Sequence, residues 1–386
     1  MEPSWEHPCA QLKWFSSSIR RPTALAWLNT YRLSFRHLYL VQKLRSELAK
    51  RYKVGLVGVA HPHVWGVLRS LRESDKGMLT AASLDKPSSE SDSERLRREH
   101  GLGKLYGNYR EMLDEEDIDI VFNYADHILR TPVTELAASK GLHIMVEKPM
   151  AYSLKDAERM LEAAKKNNVK LMVNWPTMWF ATYRKVHELV ENGKIGRIFH
   201  IRMRVGHNSC EEEGFTGSCF QWMGQKEAGG AYLDFCCYGV AFAVWLIGMP
   251  KRVFGTAGNF VKSFIPSYDN GIVVMIYDCG TAVVEGTWSQ IGGIPAGPEI
   301  CGTKGTICFD ADEAMIFTKL KSEVIRVDPL PQEESNAVEY FLTRIEGDKI
   351  IGGMCDPKFS RDVQEVLEAG LISSEKGKVV AMPLGT

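Results

Sequence analysis

Lys53-Val54-Gly55-Leu56-Val57-Gly58-Val59-Ala60-His61-Pro62-His63 is the stretch that decides how this chain folds. Its first half is a short apolar run closing on a glycine, the pattern of a buried strand that ends in a tight turn. A helical pattern follows from Val64 to Ser74. Gly58–His63 therefore stands where a G-x-G-x-x-G phosphate loop would. Only the first glycine is present. Ala60 is small enough for backbone to approach a pyrophosphate, while His61 and His63 are bulkier than the usual residues. A second apolar run, Leu79–Leu84, ends at Asp85. An acidic side chain there can accept hydrogen bonds from a ribose 2′-OH and repels a 2′-phosphate. The expected cofactor is NAD, and the neighbouring Lys86 and Ser88 keep NADP open.

Outward from this stretch the same rhythm repeats. Ile118–Asn123 and His143–Val146 are further apolar runs, separated by helical stretches at Ser93–His100, Tyr109–Asp114 and Pro132–Lys140. Alternating strands and helices predict βαβ units on a buried parallel sheet. Ser153-x-x-Asp156 has the form of a capping box. Ala157, Met160, Leu161 and Ala164 then fall on one helix face. Val169–Val173 returns as a strand, and a helix is expected over Ala181–Glu191. After Gly196 the period becomes two, with strands at Ile198–Val205, Arg252–Ala257, Ile272–Tyr277, Thr281–Thr287, Glu299–Cys301 and Thr306–Phe309. One apolar helix, Tyr232–Ile247, interrupts them, and Ser360–Ser373 closes the chain. The expected fold is an α/β Rossmann dinucleotide-binding domain over 53–175. An α+β domain over 176–386 follows, with a large, mostly antiparallel, open-faced sheet. Its last helix is free to pack back on the first domain.

The chain has 386 residues, with 47 basic against 48 acidic side chains and a net charge of −1. That balance excludes a dedicated nucleic-acid binder, whose footprint is a basic excess. The balance is uneven, however. Residues 1–53 carry a formal +7 and the remainder −8. The extension 1–52 is Arg-rich and poor in acids, features shared by transit peptides and by helices that lie on membrane surfaces. It reads most simply as an added docking helix or as translation from an upstream start. The nine cysteines are scattered without a CxxC, as in a reduced, cytoplasmic protein. His207-x-x-Cys210 with Cys219 offers three metal ligands where structural zinc wants four, so no metal site is expected. The longest uncharged apolar run, Phe235–Pro250, is too short to span about 30 Å of hydrocarbon, so no transmembrane span is expected.

Val146-Glu147-Lys148-Pro149 follows the fourth strand, and ligands of open parallel sheets bind beyond the carboxyl ends of strands. Lys148 is thus a candidate cation. Gly141-Leu142-His143-Ile144-Met145-Val146-Glu147-Lys148-Pro149 resembles the G-K-H-V-x-x-E-K-P of the Gfo/Idh/MocA oxidoreductases. Asp119-Ile120-Val121 is similar to that family's D-x-V strand, and Gly193-Lys194-Ile195-Gly196 to its G-x-I-G turn. Gly229–Tyr238 is similar to its G-G-x-L-x-D-x-G-x-H/Y helix, in the branch that carries tyrosine. The resemblance covers about residues 53–380. It implies a catalytic set of Lys148, Asp234 and Tyr238, and a homodimer or homotetramer formed through the second sheet. It further implies that Tyr238 takes a hydroxyl proton while hydride passes to the nicotinamide. A tyrosine with a pKa near 10 needs a shift of about 3 units for that task. A lysine about 4 Å away at a dielectric of about 20 supplies roughly 4 kcal/mol, which is enough. Asp234 is then expected to orient the substrate hydroxyl or Lys148.

The cofactor wall is expected to comprise Gly58, Ala60, His61, His63, Asp85, Ala125, Asp126, Glu147, Lys148 and Trp175. The substrate wall should comprise Lys148, Trp175, Trp179, Asp234 and Tyr238, with the two indoles either stacking on a sugar face or serving as core aromatics. The departures from the family pattern are Ala125–Arg130 in place of T-P-N-x-x-H, Cys236 in place of glycine, and Asn174–Trp179 in place of an Arg-containing stretch. The expected activity is hydride transfer between a nicotinamide cofactor and a carbon of a sugar, cyclitol or related polyol. Two other readings fit the same residues. One is NAD-retaining glycoside cleavage through oxidation, elimination and reduction. The other is a non-catalytic NAD(H)-binding regulator, suggested by the altered Asp126–Arg130 segment.

Overall fold

The computed structural model describes residues 51–85, 90–208, 225–226, 229–292 and 297–385. The basic extension up to Lys50, Lys86, Ser88, Cys210 and Cys219 lie outside these residues, and with them the readings placed there.

The first sheet has six parallel strands in the order β3-β2-β1-β4-β5-β6. They are β1 Tyr52–Val57, β2 Gly77–Ser83, β3 Leu105–Tyr106, β4 Ile120–Asn123, β5 His143–Glu147 and β6 Leu171–Asn174. All of β4 and β6 is buried, as expected when helices cover both faces. The covering helices are α1 His63–Glu73, α2 Glu90–His100, α3 Tyr109–Glu115, α4 His127–Ser139 and α5 Leu154–Lys166. Ser153 caps α5 by accepting the Asp156 N–H at 3.2 Å, the box seen in the sequence. Helix α4 begins five residues before Pro132, where the sequence reading placed its start. The Asp126 carboxylate accepts the N–H groups of Ile128 and Leu129 at 3.0 and 2.9 Å and so fixes the earlier start.

The second sheet has nine strands in the order β14-β13-β12-β11-β7-β10-β9-β8-β15. They are β7 Ile198–Gly206, β8 Arg252–Gly258, β9 Asn270–Ile276, β10 Thr281–Thr287, β11 Glu299–Gly302, β12 Thr306–Phe309, β13 Ala314–Phe317, β14 Ser322–Ile325 and β15 Val380–Ala381. All neighbours are antiparallel except β7 and β10, which run parallel. Between the sheets come α6 Ala181–Glu191 and, after β7, the apolar α7 Gly230–Ile247. By length and composition α7 could cross a membrane, but it lies buried against the inner face of the second sheet. A Cβ on Gly239 would stand 2.5 Å from Val284 Cγ1, so this glycine lets α7 approach β10 closely. The close approach fixes which face of α7 meets the sheet, and with it where Asp234 and Tyr238 point.

Two more helices, α8 Ala337–Glu346 and α9 Pro357–Lys376, complete the fold. Helix α9 packs back on the first domain. Gln364 donates to Tyr152 O at 3.0 Å, and Arg361 pairs with Glu158 at 2.7 Å. Strands β3, β13, β14 and β15 and helix α8 are additions to the sequence reading. The strands are two to four residues long and too short to show a period.

Candidate active site

The β1–α1 turn is built on Gly58, which has φ +75°. A Cβ there would lie 2.6 Å from Ala125 Cα and 2.7 Å from Ala125 N. Glycine is thus required twice, by backbone conformation and by the β4 turn beside it. Pro62 precedes α1 and provides no side-chain cap, and the first-turn N–H groups turn back on the loop, His63 to His61 Nδ1 at 3.3 Å, Val64 to His61 O at 3.1 Å and Trp65 to Pro62 O at 3.3 Å. Asp85, just beyond β2, accepts the Ser83 hydroxyl. The glycine cradle at the end of β1 and the acid at the end of β2 together fit a nicotinamide dinucleotide. Gly58→Ala is expected to cost at least about 2–3 kcal/mol, from left-handed strain and overpacking. Urea unfolding and NADH fluorescence titration measure the stability loss and the accompanying loss of nucleotide affinity.

Lys148 follows β5 directly, and Asp234 and Tyr238 lie one turn apart on α7. Lys148 Nζ sits 2.7 Å from Asp234 Oδ1 and donates to Asp234 O at 3.0 Å. Both residues are almost fully buried, at 1% and 2% exposure. Burial alone would lower the lysine pKa, but Asp234 carries it above its ordinary value. Burial likewise opposes ionisation of Asp234, and Lys148 with His61 holds it well below the carboxylate range. The pair is therefore an ion pair at neutral pH. Asp234 also accepts Trp288 Nε1–H at 3.2 Å and faces His61 Nε2 at 3.4 Å. Nearby, His63 Nδ1 lies 2.7 Å from Glu147 Oε1, and Asn174 Nδ2 donates to Glu147 Oε2 at 3.2 Å. Burial pushes His61 down to about 4, so its imidazole is neutral at pH 7.

Tyr238 departs from the sequence expectation. Lys148 Nζ lies over its ring, 4.3 Å from the centroid, in a cation–π contact. Burial raises the phenol pKa, and the opposing pull of Lys148 does not overcome it. The earlier Coulomb estimate left out desolvation, and it left out Asp234, which already balances the lysine charge. The resting phenol is protonated.

These groups border a cavity of about 350 Å³ between the two sheets' domains. Its polar lining includes His61, His63, Lys148, Thr177, Asp234 and Tyr238. Trp175 does not line it. That indole is fully buried, donates to Ser360 Oγ at 2.9 Å and meets Tyr238 edge-on at 6.4 Å, so it is a core aromatic behind the site. Trp179 donates to Asn174 Oδ1 at 2.8 Å and lines a separate hollow beside α1 and α8. In their place Phe180, Tyr183 and Phe235 supply the aromatic wall. Asp126 is spent on capping α4. Ala60 is buried with Phe235, Ile265 and Trp288, and its N–H goes to Tyr124 O at 3.1 Å. Its small size therefore serves packing against the second domain. Ala125 O accepts Arg130 Nε at 3.0 Å, and Arg130 Nη1 reaches Pro149 O at 2.5 Å. The divergent Ala125–Arg130 segment thus braces the turn that carries Lys148. Met203, Val205 and His207 also line the cavity and were missed as wall residues. They recur at i, i+2, i+4 along and just beyond β7, a period-two signal present in the sequence.

Comparison with known proteins follows the same outline. A model described as oxidoreductase family, NAD-binding Rossmann fold, matches residues 52–175. The GFO/IDH/MocA C-terminal domain model matches residues 183–308. Trans-1,2-dihydrobenzene-1,2-diol dehydrogenase of Xenopus tropicalis is 26% identical over 221 residues, covering 57% of this chain and 64% of that protein. Myo-inositol 2-dehydrogenase of Thermotoga maritima is 22% identical over 254 residues, covering 64% and 71%. The chain thus spans less than two thirds of the length of the diol dehydrogenase it matches. Among solved structures, levoglucosan dehydrogenase in complex with NADH and levoglucosan aligns with a TM-score of 0.71 at 18% identity, covering 87% of this chain and 100% of that one. Aldose–aldose oxidoreductase from Caulobacter crescentus aligns with a TM-score of 0.73 at 20% identity, covering 86% and 100%. These structural likenesses show the fold.

Proposed function

This chain belongs to the GFO/IDH/MocA oxidoreductase family, and we propose that it moves hydride between a nicotinamide dinucleotide and a hydroxyl-bearing carbon of a small cyclic polyol, sugar or diol. The observation that carries the reading is the buried Lys148–Asp234 ion pair, with Tyr238 over the lysine, at the wall of one cavity. Gly58 and Asp85 would hold the cofactor, with NAD favoured by the acid after β2. When bound, the cofactor supplies or accepts the hydride.

The chain's own groups handle the proton and the charge. Lys148 is held cationic, so it cannot serve as a base. It is placed to stabilise negative charge growing on the substrate oxygen. Tyr238 rests as a phenol and carries the proton to that oxygen. A protonated tyrosine beside a fixed cation favours reduction of a carbonyl, in which the acid gives its proton and Lys148 steadies the phenolate left behind. The apolar wall of Phe180, Tyr183, Met203, Val205 and Phe235 suits one face of a ring. The wall thus suits a substrate polar along one edge and apolar across a face.

The test follows NADH absorbance together with product analysis across a panel of sugars, cyclitols and cyclic diols with their keto forms. Turnover of a ring substrate coupled one-to-one to NADH supports the reading. Glycoside cleavage without net NADH, or nucleotide binding without turnover, would replace it. Tyr238→Phe is expected to lower the rate about 10²-fold with little change in nucleotide affinity. A homo-oligomer built on the open face of the second sheet belongs to the same proposal. Phe254 and Ile272 stand exposed there at 39% each, next to the buried Val253 and Val273. Light scattering gives the oligomer size.

A further inference from the structure

We propose that His61, His63 and Glu147 form a binding site for a divalent transition-metal cation of the zinc class, with one coordination position open to the cavity. One ligand atom from each residue lies within 4.8 Å of the others. His63 Nδ1 is 2.7 Å and His61 Nδ1 4.0 Å from the same oxygen, Glu147 Oε1. Tetrahedral zinc, with bonds of about 2.0–2.1 Å, holds its ligand atoms about 3.4 Å apart. The His63–Glu147 contact must open and the His61–Glu147 contact close, each by less than about 1 Å, and the contact between the histidines, within 4.8 Å, must close by at most about 1.4 Å, which side-chain rotations supply.

The far sides of His61 and Glu147 are already engaged, as a metal site requires. His61 directs Nε2 to Asp234 Oδ1 at 3.4 Å. The His63 main-chain N–H donates to His61 Nδ1 at 3.3 Å, which marks Nδ1 as the lone-pair nitrogen and Nε2 as the one bearing the proton. Glu147 passes its second oxygen to Asn174 at 3.2 Å. An imidazole backed by a carboxylate and a carboxylate backed by an amide are the outer partners that orient metal ligands. Two nitrogens and one oxygen suit zinc, iron or manganese over magnesium or calcium. Lys148 is the nearby opposing charge, and it is balanced by its own ion pair with Asp234. Glu147 is fully buried, whereas the His63 side chain is 32% exposed and gives the ion its way in. Both histidines line the cavity that also holds Lys148 and Tyr238. Three protein ligands and an open side facing a cavity are the form of a site where a substrate oxygen can complete the coordination.

The experiment needs neither nucleotide nor substrate, so its outcome stands apart from the redox reading. The full chain, made without a histidine tag and stripped with chelator, is titrated with Zn²⁺ against a chromophoric competitor. The expected result is one equivalent bound at micromolar affinity or better, weakened at least about 10-fold in His63→Ala and in Glu147→Gln. Binding elsewhere in the chain, for example at cysteines, would survive both substitutions and overturn the proposal. So would the absence of any micromolar site in the wild type. As a second readout, Zn²⁺ should raise the unfolding temperature of the wild type and leave that of His63→Ala unmoved. An equal rise in both proteins would reduce the cluster to a hydrogen-bonded chain.

Discussion

Lys148→Met will fold less stably by about 3 kcal/mol and turn over its substrate about 10³-fold more slowly than the wild type. The two losses share one cause. Lys148 and Asp234 are a buried ion pair at 2.7 Å, and methionine preserves the lysine's apolar stem while removing its charge. Removing one partner of a buried pair costs about 3–5 kcal/mol, because the remaining charge is left without compensation. The lower end applies here, since Asp234 keeps two donors, Trp288 Nε1 and His61 Nε2. The kinetic loss reflects the missing cation beside the substrate oxygen, where a single removed donor costs about 10²–10³-fold. Loss of the cation above the Tyr238 ring then raises the cost of any phenolate. Urea unfolding and NADH-coupled turnover measure the two effects. A Lys148→Met protein as stable as the wild type would show that the pair is solvated, and the site described above would lose its basis. Full turnover with reduced stability would instead confine Lys148 to a structural role.

The parallel sheet was legible, apart from the two-residue β3, because its strands are largely buried and bounded by helices, so each reads as an apolar run. The pairing of Asp234 with Tyr238 was legible because a spacing of four on a helix is unambiguous. What the sequence hid were contacts between distant segments. Trp175 and Trp179 look alike in Asn174–Trp179, yet Trp175 turns inward to Ser360 on α9, some 185 residues later. Of the wall aromatics, Phe180 stands just before α6, Tyr183 on α6 and Phe235 on α7, segments that only the tertiary fold brings together. His61 and His63 read as awkward residues in a phosphate loop, because Glu147 and Asp234, which give them partners, sit on other elements. The tyrosine pKa was misread for a related reason. A pairwise estimate sees Lys148 but neither the burial that opposes it nor the Asp234 that neutralises it. Helix α8 did carry a start signal, Asn336, whose Oδ1 accepts from Val338 and Glu339 at 3.0 Å each, but its ten residues lie in a domain that reads mainly as strands.

Asp234→Asn offers the converse test, because it changes how stability depends on pH. In the wild type both members of the pair are charged, folded or unfolded, from pH 7 to 10. The pair therefore adds no slope in that window. Its two edges follow from the directions of the shifts. Lys148 has a raised pKa, so its contribution is complete below the unfolded value of about 10.4 and fades as pH climbs through the folded value. Asp234 has a lowered pKa, so its contribution is complete above the unfolded value of about 3.9 and fades as pH falls through the folded value. Asparagine removes the charge that held Lys148 up, and burial then draws the lysine pKa below its unfolded value. The unfolded chain binds more protons than the native one over that interval, so the stability of Asp234→Asn rises with pH toward about 10. At pH 7 the variant should be about 3–5 kcal/mol less stable than the wild type. That gap should narrow at both ends, in alkali as Lys148 discharges and in acid as the wild-type carboxylate is protonated. Urea midpoints collected from about pH 2 to 10 on both proteins test the pattern. Two curves that run parallel across the whole range would mean that the Asp234 charge does not set the charge on Lys148.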